Sequence, residues 1–185
     1  MLSLCISGLA DAQTLLQPTT VSPAKSAPEP VIAAIALKNL DELQQDVIDA
    51  WEKMPLVVRR AIFVTEQPAM IGAYSERRSS VFKSGEKLLT YMEPVGYTWT
   101  PRGNMFDFGL SADFILKSAD GKILGGQDNF AKVSLSSRTK LQELMFNLTM
   151  SLDGADPGKY ILEYRLHDQG SDKSVTVDQP FTIVK

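Results

Sequence analysis

Hydrophobic and polar residues alternate with a period of two through most of the chain after residue 55. The longest example is residues 105–117, where one face is apolar and the other is polar, as in a half-buried β-strand. Similar strand-length segments are 57–64, 87–95, 122–126, 130–136, 144–152, 159–168 and 175–184. About eight strands separated by turns, with no helical pattern between them, predict an antiparallel β-sandwich over residues 55–185.

A different period appears just before these strands. Residues 38–54 place apolar side chains three or four positions apart, which predicts one amphipathic α-helix. The apolar positions are Leu40, Leu43, Val47, Ile48, Trp51 and Met54. Asn39 with Glu42 is a variant of the capping box and is expected to start the helix, and Pro55 is expected to stop it. The apolar stripe either packs on the sandwich or docks a partner, and the sequence leaves both open.

The segment before the helix has the composition of an export signal followed by a linker. Residues 1–12 form a short apolar run that ends in Ala10-Asp11-Ala12, a pattern typical of signal peptide cleavage, although the usual cationic start is missing. Residues 13–37 contain four prolines among Thr, Ser and Gln, which predicts a disordered Pro-rich linker. We therefore expect a periplasmic or secreted protein.

Cysteine usage and charge remove several classes of site. The one cysteine, Cys5, lies within the expected signal peptide, so the mature chain would have no disulfide, zinc-thiolate site or cysteine nucleophile. A lipoprotein signal at Cys5 is disfavoured because the preceding Leu4 is large. The net charge of −3 gives no basic field for nucleic acid. The apolar run is shorter than the roughly 20 residues that span a bilayer, so no transmembrane span is expected.

The side chains needed for catalysis are scarce. His167 is the only histidine, and Asp168 and Glu93 are the carboxylates that an enzyme could use with it. The common nucleophile, metalloprotease and nucleotide-binding motifs do not occur. Asp153, Asp156 and Asp168 offer oxygen ligands for calcium, but Asp beside Gly in a turn has a backbone role. We therefore predict a protein that is not an enzyme and that needs no metal or cofactor.

One loop contains aromatic residues between two prolines. Tyr97 and Trp99 lie between Pro94 and Pro101, with Arg102 next to them. Such rings could stack on a sugar or anchor a peptide, since aromatic side chains bury a large area at small entropic cost. The alternative is that the rings close one end of the sandwich core. Tyr97, Trp99 and Arg102 are the candidate ligand-binding residues.

A turn near the end of the chain carries a family resemblance. Asp156, Gly158 and Tyr160 form the pattern D-x-G-x-Y, which resembles the tyrosine corner of immunoglobulin-like sandwiches. The resemblance implies that the tyrosine hydroxyl bonds to the backbone a few residues upstream, where the chain crosses between sheets. From about Phe82 onward, the succession of strands and turns is similar to uncharacterised exported bacterial proteins with immunoglobulin-like domains. The D-G-K turn at 120–122 and the P-G-K-Y segment at 157–160 are also similar to a sandwich-type bacterial proteinase-inhibitor family.

Together these patterns predict a mainly β protein, in which a Pro-rich linker and one amphipathic helix precede an immunoglobulin-like sandwich. The expected function is that of a non-enzymatic exported binding or scaffold protein, which presents sandwich loops to a protein or glycan partner in the cell envelope. Two alternatives are a sandwich-type protease inhibitor and an envelope enzyme that uses Glu93, His167 and Asp168. The sequence specifies no oligomeric state.

Overall fold

A computed structural model describes residues 30–185, which form one helix followed by nine β-strands. The elements are α1 (Pro30–Lys53), β1 (Val57–Phe63), β2 (Val81–Lys83), β3 (Lys87–Val95), β4 (Thr100–Arg102), β5 (Met105–Ser118), β6 (Ile123–Ser137), β7 (Phe146–Ser151), β8 (Gly158–Asp168) and β9 (Ser174–Val184). The predicted mainly β class with one preceding helix is confirmed. The expected signal peptide and residues 13–29 of the expected linker lie outside the described residues.

Helix α1 begins at Pro30, eight residues before the predicted start at residue 38. The predicted linker is therefore wrong for residues 30–37, and Asn39 with Glu42 does not cap the helix. Proline is favourable in the first helical turn, where its missing N–H has no intrahelical acceptor, and residues 31–37 include three alanines, the best helix formers. Within residues 30–185 no helix is long and apolar enough to cross a membrane. Residues 41–185 form one compact unit, and the part of α1 up to Leu40 belongs to a separate unit.

The strands form two sheets. One sheet has the order β1-β3-β7, and the other has the order β2-β9-β8-β5-β4, with β6 also paired to β5. All pairs are antiparallel except β2 with β9, which is parallel. The larger sheet is therefore mixed, whereas the sequence predicts antiparallel strands throughout. The predicted strands 122–126 and 130–136 are one strand, β6, which continues through a bulge at Asn129, a residue with φ of 51°.

The core lies between the inner faces of the two sheets. Leu162, Tyr164 and Leu166 alternate along β8 and are fully buried, whereas Arg165 between them is exposed, as the period of two predicts. The buried Tyr164 hydroxyl lies 3.5 Å from Thr90 Oγ1 on β3. Burial raises the pKa of Tyr164 to about 12, so this hydroxyl stays neutral within the core.

The predicted tyrosine corner is present at the crossing from β7 in the smaller sheet to β8 in the larger one. The Tyr160 hydroxyl donates a hydrogen bond to the Asp156 carbonyl oxygen at 2.7 Å, and the ring stacks on Phe181 with centroids 5.5 Å apart. Gly158 is less constrained than its motif suggests, because a Cβ there would lie 3.6 Å from the Tyr160 ring, an ordinary contact. The bond from Tyr160 and the stack on Phe181 therefore fasten the crossover.

Replacing Tyr160 by Phe tests this corner. Tyr160→Phe removes the hydroxyl and keeps the ring stack, so we expect the free energy of unfolding to fall by about 1 kcal/mol in urea titration. Tyr74→Phe is the matched control, since the Tyr74 ring contacts Tyr91 and Arg60 and its hydroxyl bonds to none of the described residues. Equal losses in the two variants would show that the corner bond contributes nothing specific.

Candidate functional site

A cleft of about 690 Å³ lies between the C-terminal half of α1 and the segment that follows β6. Its apolar lining residues are Ile48, Phe106 and Leu141. Its polar lining residues are Gln44, Gln45, Thr139, Lys140, Gln142 and Glu143. A concave apolar surface with a few polar groups is the usual form of a binding site.

Two of the predicted ligand-binding residues face the core. Tyr97 is 0% exposed and Trp99 is 6% exposed. Trp51 of α1 stacks on Trp99 with ring centroids 5.3 Å apart and meets Tyr97 edge-on at 5.0 Å. The prediction that these rings contact a ligand is therefore wrong, because the helix covers them and the area they bury stabilises the end of the sandwich instead.

The same rings support one wall of the cleft from behind, through hydrogen bonds to Leu141. The Tyr97 hydroxyl and the Trp99 indole N–H both donate to the Leu141 carbonyl oxygen, at 2.9 Å and 2.8 Å. Burial raises the pKa of Tyr97 above its ordinary value, which keeps this hydroxyl protonated as a donor. Lys140 Nζ lies 5.6 Å from the Trp99 ring centroid and pairs with Glu52 of α1. Segment 139–143 is thus fixed by the two aromatic donors to Leu141 and by the ion pair between Lys140 and Glu52 of α1.

The apolar stripe of α1 is only partly covered. Trp51 is buried, and Ile48 and Met54 pack against the core. Leu43 is 63% exposed and Val47 is 49% exposed. The C-terminal end of the stripe therefore packs on the sandwich, while its middle stays exposed and could dock a partner. The sequence left both of these roles open.

The helix is acidic around this open stripe. The helix carries five carboxylates against two lysines, Lys38 and Lys53. The five are Asp41, Glu42, Asp46, Asp49 and Glu52. Their summed negative potential favours a basic ligand surface and disfavours an acidic one.

Arg102 lies apart from the two rings with which it was predicted. Its side chain is 68% exposed, and Nη2 donates to Asp107 Oδ1 at 3.0 Å and to Ser136 Oγ at 3.1 Å. The loop therefore sends Tyr97 and Trp99 inward and Arg102 outward. The predicted three-residue ligand site does not exist as a single surface.

The residues of the predicted enzyme alternative have separate partners. Glu93 lies on β3 in the smaller sheet, where it accepts a hydrogen bond from the Tyr91 hydroxyl at 2.9 Å. His167 lies on β8 in the larger sheet, with Nε2 2.7 Å from Asp113 Oδ2. The two side chains that were expected to share acid–base work thus belong to different sheets and different contacts.

Asp168 has a structural role beside the aromatic loop. Its carboxylate accepts hydrogen bonds from Thr98 N at 3.0 Å, Gly170 N at 3.2 Å and Ser171 Oγ at 2.6 Å. These bonds tie the turn after β8 to the loop between β3 and β4. No group of three or more His, Cys, Asp or Glu side chains in residues 30–185 is placed to hold a metal ion.

Known proteins offer little for comparison. No protein-family model and no curated protein matches the sequence. The C-terminal domain of Wzt is similar in structure, with a TM-score of 0.44 and 14% identity over 72% of this chain and 75% of that one. Alkylpurine DNA glycosylase AlkC of Pseudomonas fluorescens, bound to DNA containing an abasic site analog, gives a TM-score of 0.40 and 9% identity over 71% of this chain and 31% of that one. Neither likeness assigns a family or a function to this chain.

Replacing Trp99 tests whether the aromatic loop supports the cleft. Trp99→Phe removes the indole donor to Leu141 and part of the stack on Trp51, so we expect the free energy of unfolding to fall by about 1–3 kcal/mol. Amide hydrogen exchange in residues 139–143 should also become faster. Arg102→Ala, an exposed position in the same loop, is the control and should change both quantities much less. A ligand-facing Trp99 would instead leave stability unchanged.

The charged face of the larger sheet generates a pH prediction. Glu163 is 5% exposed, and hydrogen bonds from Lys117 first and Arg165 second lower its pKa below the ordinary value of 4.5 despite its burial. A depressed carboxylate pKa adds stability above pH 4.5 that is lost as the pH falls through the folded-state value. We expect Glu163→Gln to cost about 1–3 kcal/mol at neutral pH and to flatten the acid limb of the stability curve.

The control for this prediction is Glu76→Gln, which removes an exposed carboxylate. Its free energy of unfolding at neutral pH should stay within about 0.5 kcal/mol of the wild-type value. A Glu163→Gln curve of unfolding free energy against pH that runs parallel to the wild-type curve would contradict the assigned role of the Lys117–Glu163–Arg165 contacts.

Proposed function

We propose that this protein is a non-enzymatic exported binding protein that recognises a segment of a protein partner. Its recognition surface, here called the docking surface, consists of Leu43, Val47, Ile48, Phe106 and Leu141. The observation that carries the proposal is the apolar stripe of α1, in which Leu43 and Val47 are exposed and Ile48 lines a cleft. Export is supported by the apolar run and small-residue motif of residues 1–12.

The exposed apolar side chains favour association. Burying apolar surface releases roughly 25 cal/mol per Å², so covering a half-exposed Leu or Val gains on the order of 1 kcal/mol. Contiguous exposed apolar patches with a polar rim mark interaction sites. Leu43 and Val47 lie four residues apart on one helical face, and Ile48 of the same helix lines the cleft together with Phe106 and Leu141.

The charge of α1 indicates what kind of segment fits. A partner helix could place its apolar residues, spaced three and four positions apart, on the stripe and in the cleft. The carboxylates of α1 would then face the polar side of the partner. A basic amphipathic helix is attracted there, whereas a second copy of α1 would be repelled, since carboxylates outnumber lysines on both copies. We therefore assign the docking surface to a basic amphipathic segment of another protein.

The polar groups of the cleft support recognition over catalysis. They are three Gln amides, one Thr hydroxyl, and the side chains of Lys140 and Glu143. Lys140 is already engaged by Glu52 and by the Phe106 and Trp99 rings. Amides donate and accept hydrogen bonds without changing protonation state, so the three amides suit a ligand that must be oriented.

Peptide binding tests this proposal. The probes are an 18-residue Leu/Lys amphipathic helix, a Leu/Glu helix of equal hydrophobicity and a Leu/Lys peptide of scrambled order. We expect calorimetry to show that the amphipathic Leu/Lys helix binds at least tenfold more tightly than the other two. Added salt should weaken its binding, since exposed charges are screened.

Two double variants locate the binding. Leu43→Ser with Val47→Ser should weaken the Leu/Lys helix at least tenfold. Ile123→Ser with Leu124→Ser is the matched control, because it removes an equally exposed apolar pair on β6 and should leave the affinity unchanged. Equal effects of the two double variants, or equal affinity for the scrambled peptide, would overturn the proposal.

A further inference from the structure

A second concave surface lies on the larger sheet and shares no lining residue with the cleft. It is a groove of about 370 Å³ between β4, β5, β6 and the turn after β8. Its polar lining residues are Thr100, Asp107, Ser134, Ser136, Gln169 and Gly170. These residues supply three hydroxyls, one carboxylate and one amide, and the apolar residues Phe108 and Leu135 complete the lining.

One wall of this groove is fixed by Gln169. Its backbone N–H donates to Gly109 O at 3.0 Å, its Nε2 donates to Val133 O at 2.9 Å, and its Oε1 accepts from Ser134 Oγ at 2.9 Å. The side chain therefore crosses β5 to reach β6. It can do so because position 109 is glycine, where a Cβ would lie 2.3 Å from Val133 O and 3.1 Å from Gln169 Nε2.

The turn that carries Gln169 is also fixed. Asp168 accepts hydrogen bonds from Thr98 and Gly170, as described above, and a Cβ on Gly170 would lie 2.9 Å from Thr100 Oγ1. The turn thus packs directly on β4. A groove whose walls are held in this way loses little conformational entropy when it binds a ligand.

The lining residues Asp107 and Ser136 bond to Arg102, a neighbouring residue of β4 that neutralises the charge of Asp107. Arg102 bonds to both carboxylate oxygens of Asp107, and Ser136 Oγ bonds to the same carboxylate and to Arg102. The hydrogen bond from Arg102 lowers the pKa of Asp107, so the carboxylate stays ionised. Guanidinium N–H groups and carboxylate oxygens therefore lie side by side, as donors next to acceptors.

This arrangement selects by charge and by hydrogen-bonding type. The Asp107 carboxylate repels anions, and the neighbouring Arg102 guanidinium repels cations. Beyond the bonds described above, the hydroxyls, the carboxylate and the Gln169 amide keep further lone pairs and N–H groups, which an apolar peptide would not use. A ligand that both donates and accepts at neighbouring positions satisfies them, as two adjacent hydroxyls on a sugar ring do. We propose that the groove lined by Asp107, Ser134, Ser136 and Gln169 is a binding site for a neutral carbohydrate.

This site is independent of the docking surface and goes beyond the proposed function. The protein would have two recognition surfaces, an acidic apolar one on α1 and a neutral polar one on the larger sheet. Either can fail without the other, because they use different residues and different chemistry.

NMR titration of the full chain tests the proposal. The probes are glucose, galactose, mannose and N-acetylglucosamine, with sodium sulfate and cyclohexanol as non-sugar controls. We expect at least one sugar to shift the signals of Arg102 Nε–H, the Gln169 side-chain amide and the Gly170 amide in a saturable way, with millimolar affinity. Absence of such shifts with all four sugars would overturn the proposal, as would equal shifts with sulfate or cyclohexanol.

Substitutions then assign the binding to the groove. Asp107→Asn and Ser134→Ala should each weaken sugar binding at least tenfold. Thr139→Ala removes a hydroxyl from the cleft beside α1 and should leave sugar binding unchanged. Both groove variants should still bind the Leu/Lys helix, which separates failure of this proposal from failure of the docking surface. Sugar binding that survives both groove substitutions would place the ligand elsewhere and overturn the assignment.

Discussion

The packing of Trp51 against Tyr97 and Trp99 is the contact on which the arrangement of the surface depends. Each aromatic pair adds roughly 0.5–1.5 kcal/mol beyond the area it buries, and the pairs fasten the last turns of α1 to one end of the sandwich. The two donors that converge on the Leu141 carbonyl oxygen must find an acceptor, because a buried N–H or O–H without one is costly. A single carbonyl therefore fixes the cleft wall. The sandwich covers the helix at Trp51 and leaves Leu43 and Val47 exposed.

Much of the fold could be predicted from the sequence where one face of a strand is buried and the other is exposed to solvent. Residues 105–117 and 159–168 have this property, and β5 and β8 match them closely. The tyrosine corner was predictable because its bond joins residues four apart. The sequence does not reveal the start of α1, because Pro30 continues the series of prolines that is typical of a linker. The alanines after Pro30 nevertheless favour a helix. Strand β6 was divided because the polar residues before Phe130 break its pattern, while in the structure they form a bulge within one strand.

The candidate sites were less predictable, since each depends on contacts between distant segments. Sequence identifies Tyr97 and Trp99 as aromatic residues in a loop, but their direction depends on Trp51, more than 40 residues earlier. The stripe of α1 was visible as a pattern, whereas the point at which the sandwich stops covering it was not. Gln169 and Ser134 are brought together across β5, and the one local signal was Gly109 inside a strand, which often marks a close backbone approach.

The bulge at Asn129 has a consequence for how the molecule behaves among its own copies. Strand β6 spans 15 residues, and within residues 30–185 it pairs only with β5, so its outer side borders no other described strand. An uninterrupted border of that length would act as a template on which further chains could add in fibril-like growth. Asn129, with its positive φ, kinks β6 near its middle and divides it into two short pieces. A straight strand could not pair with both pieces at once. A break in regularity thus protects the largest sheet of the protein against aggregation.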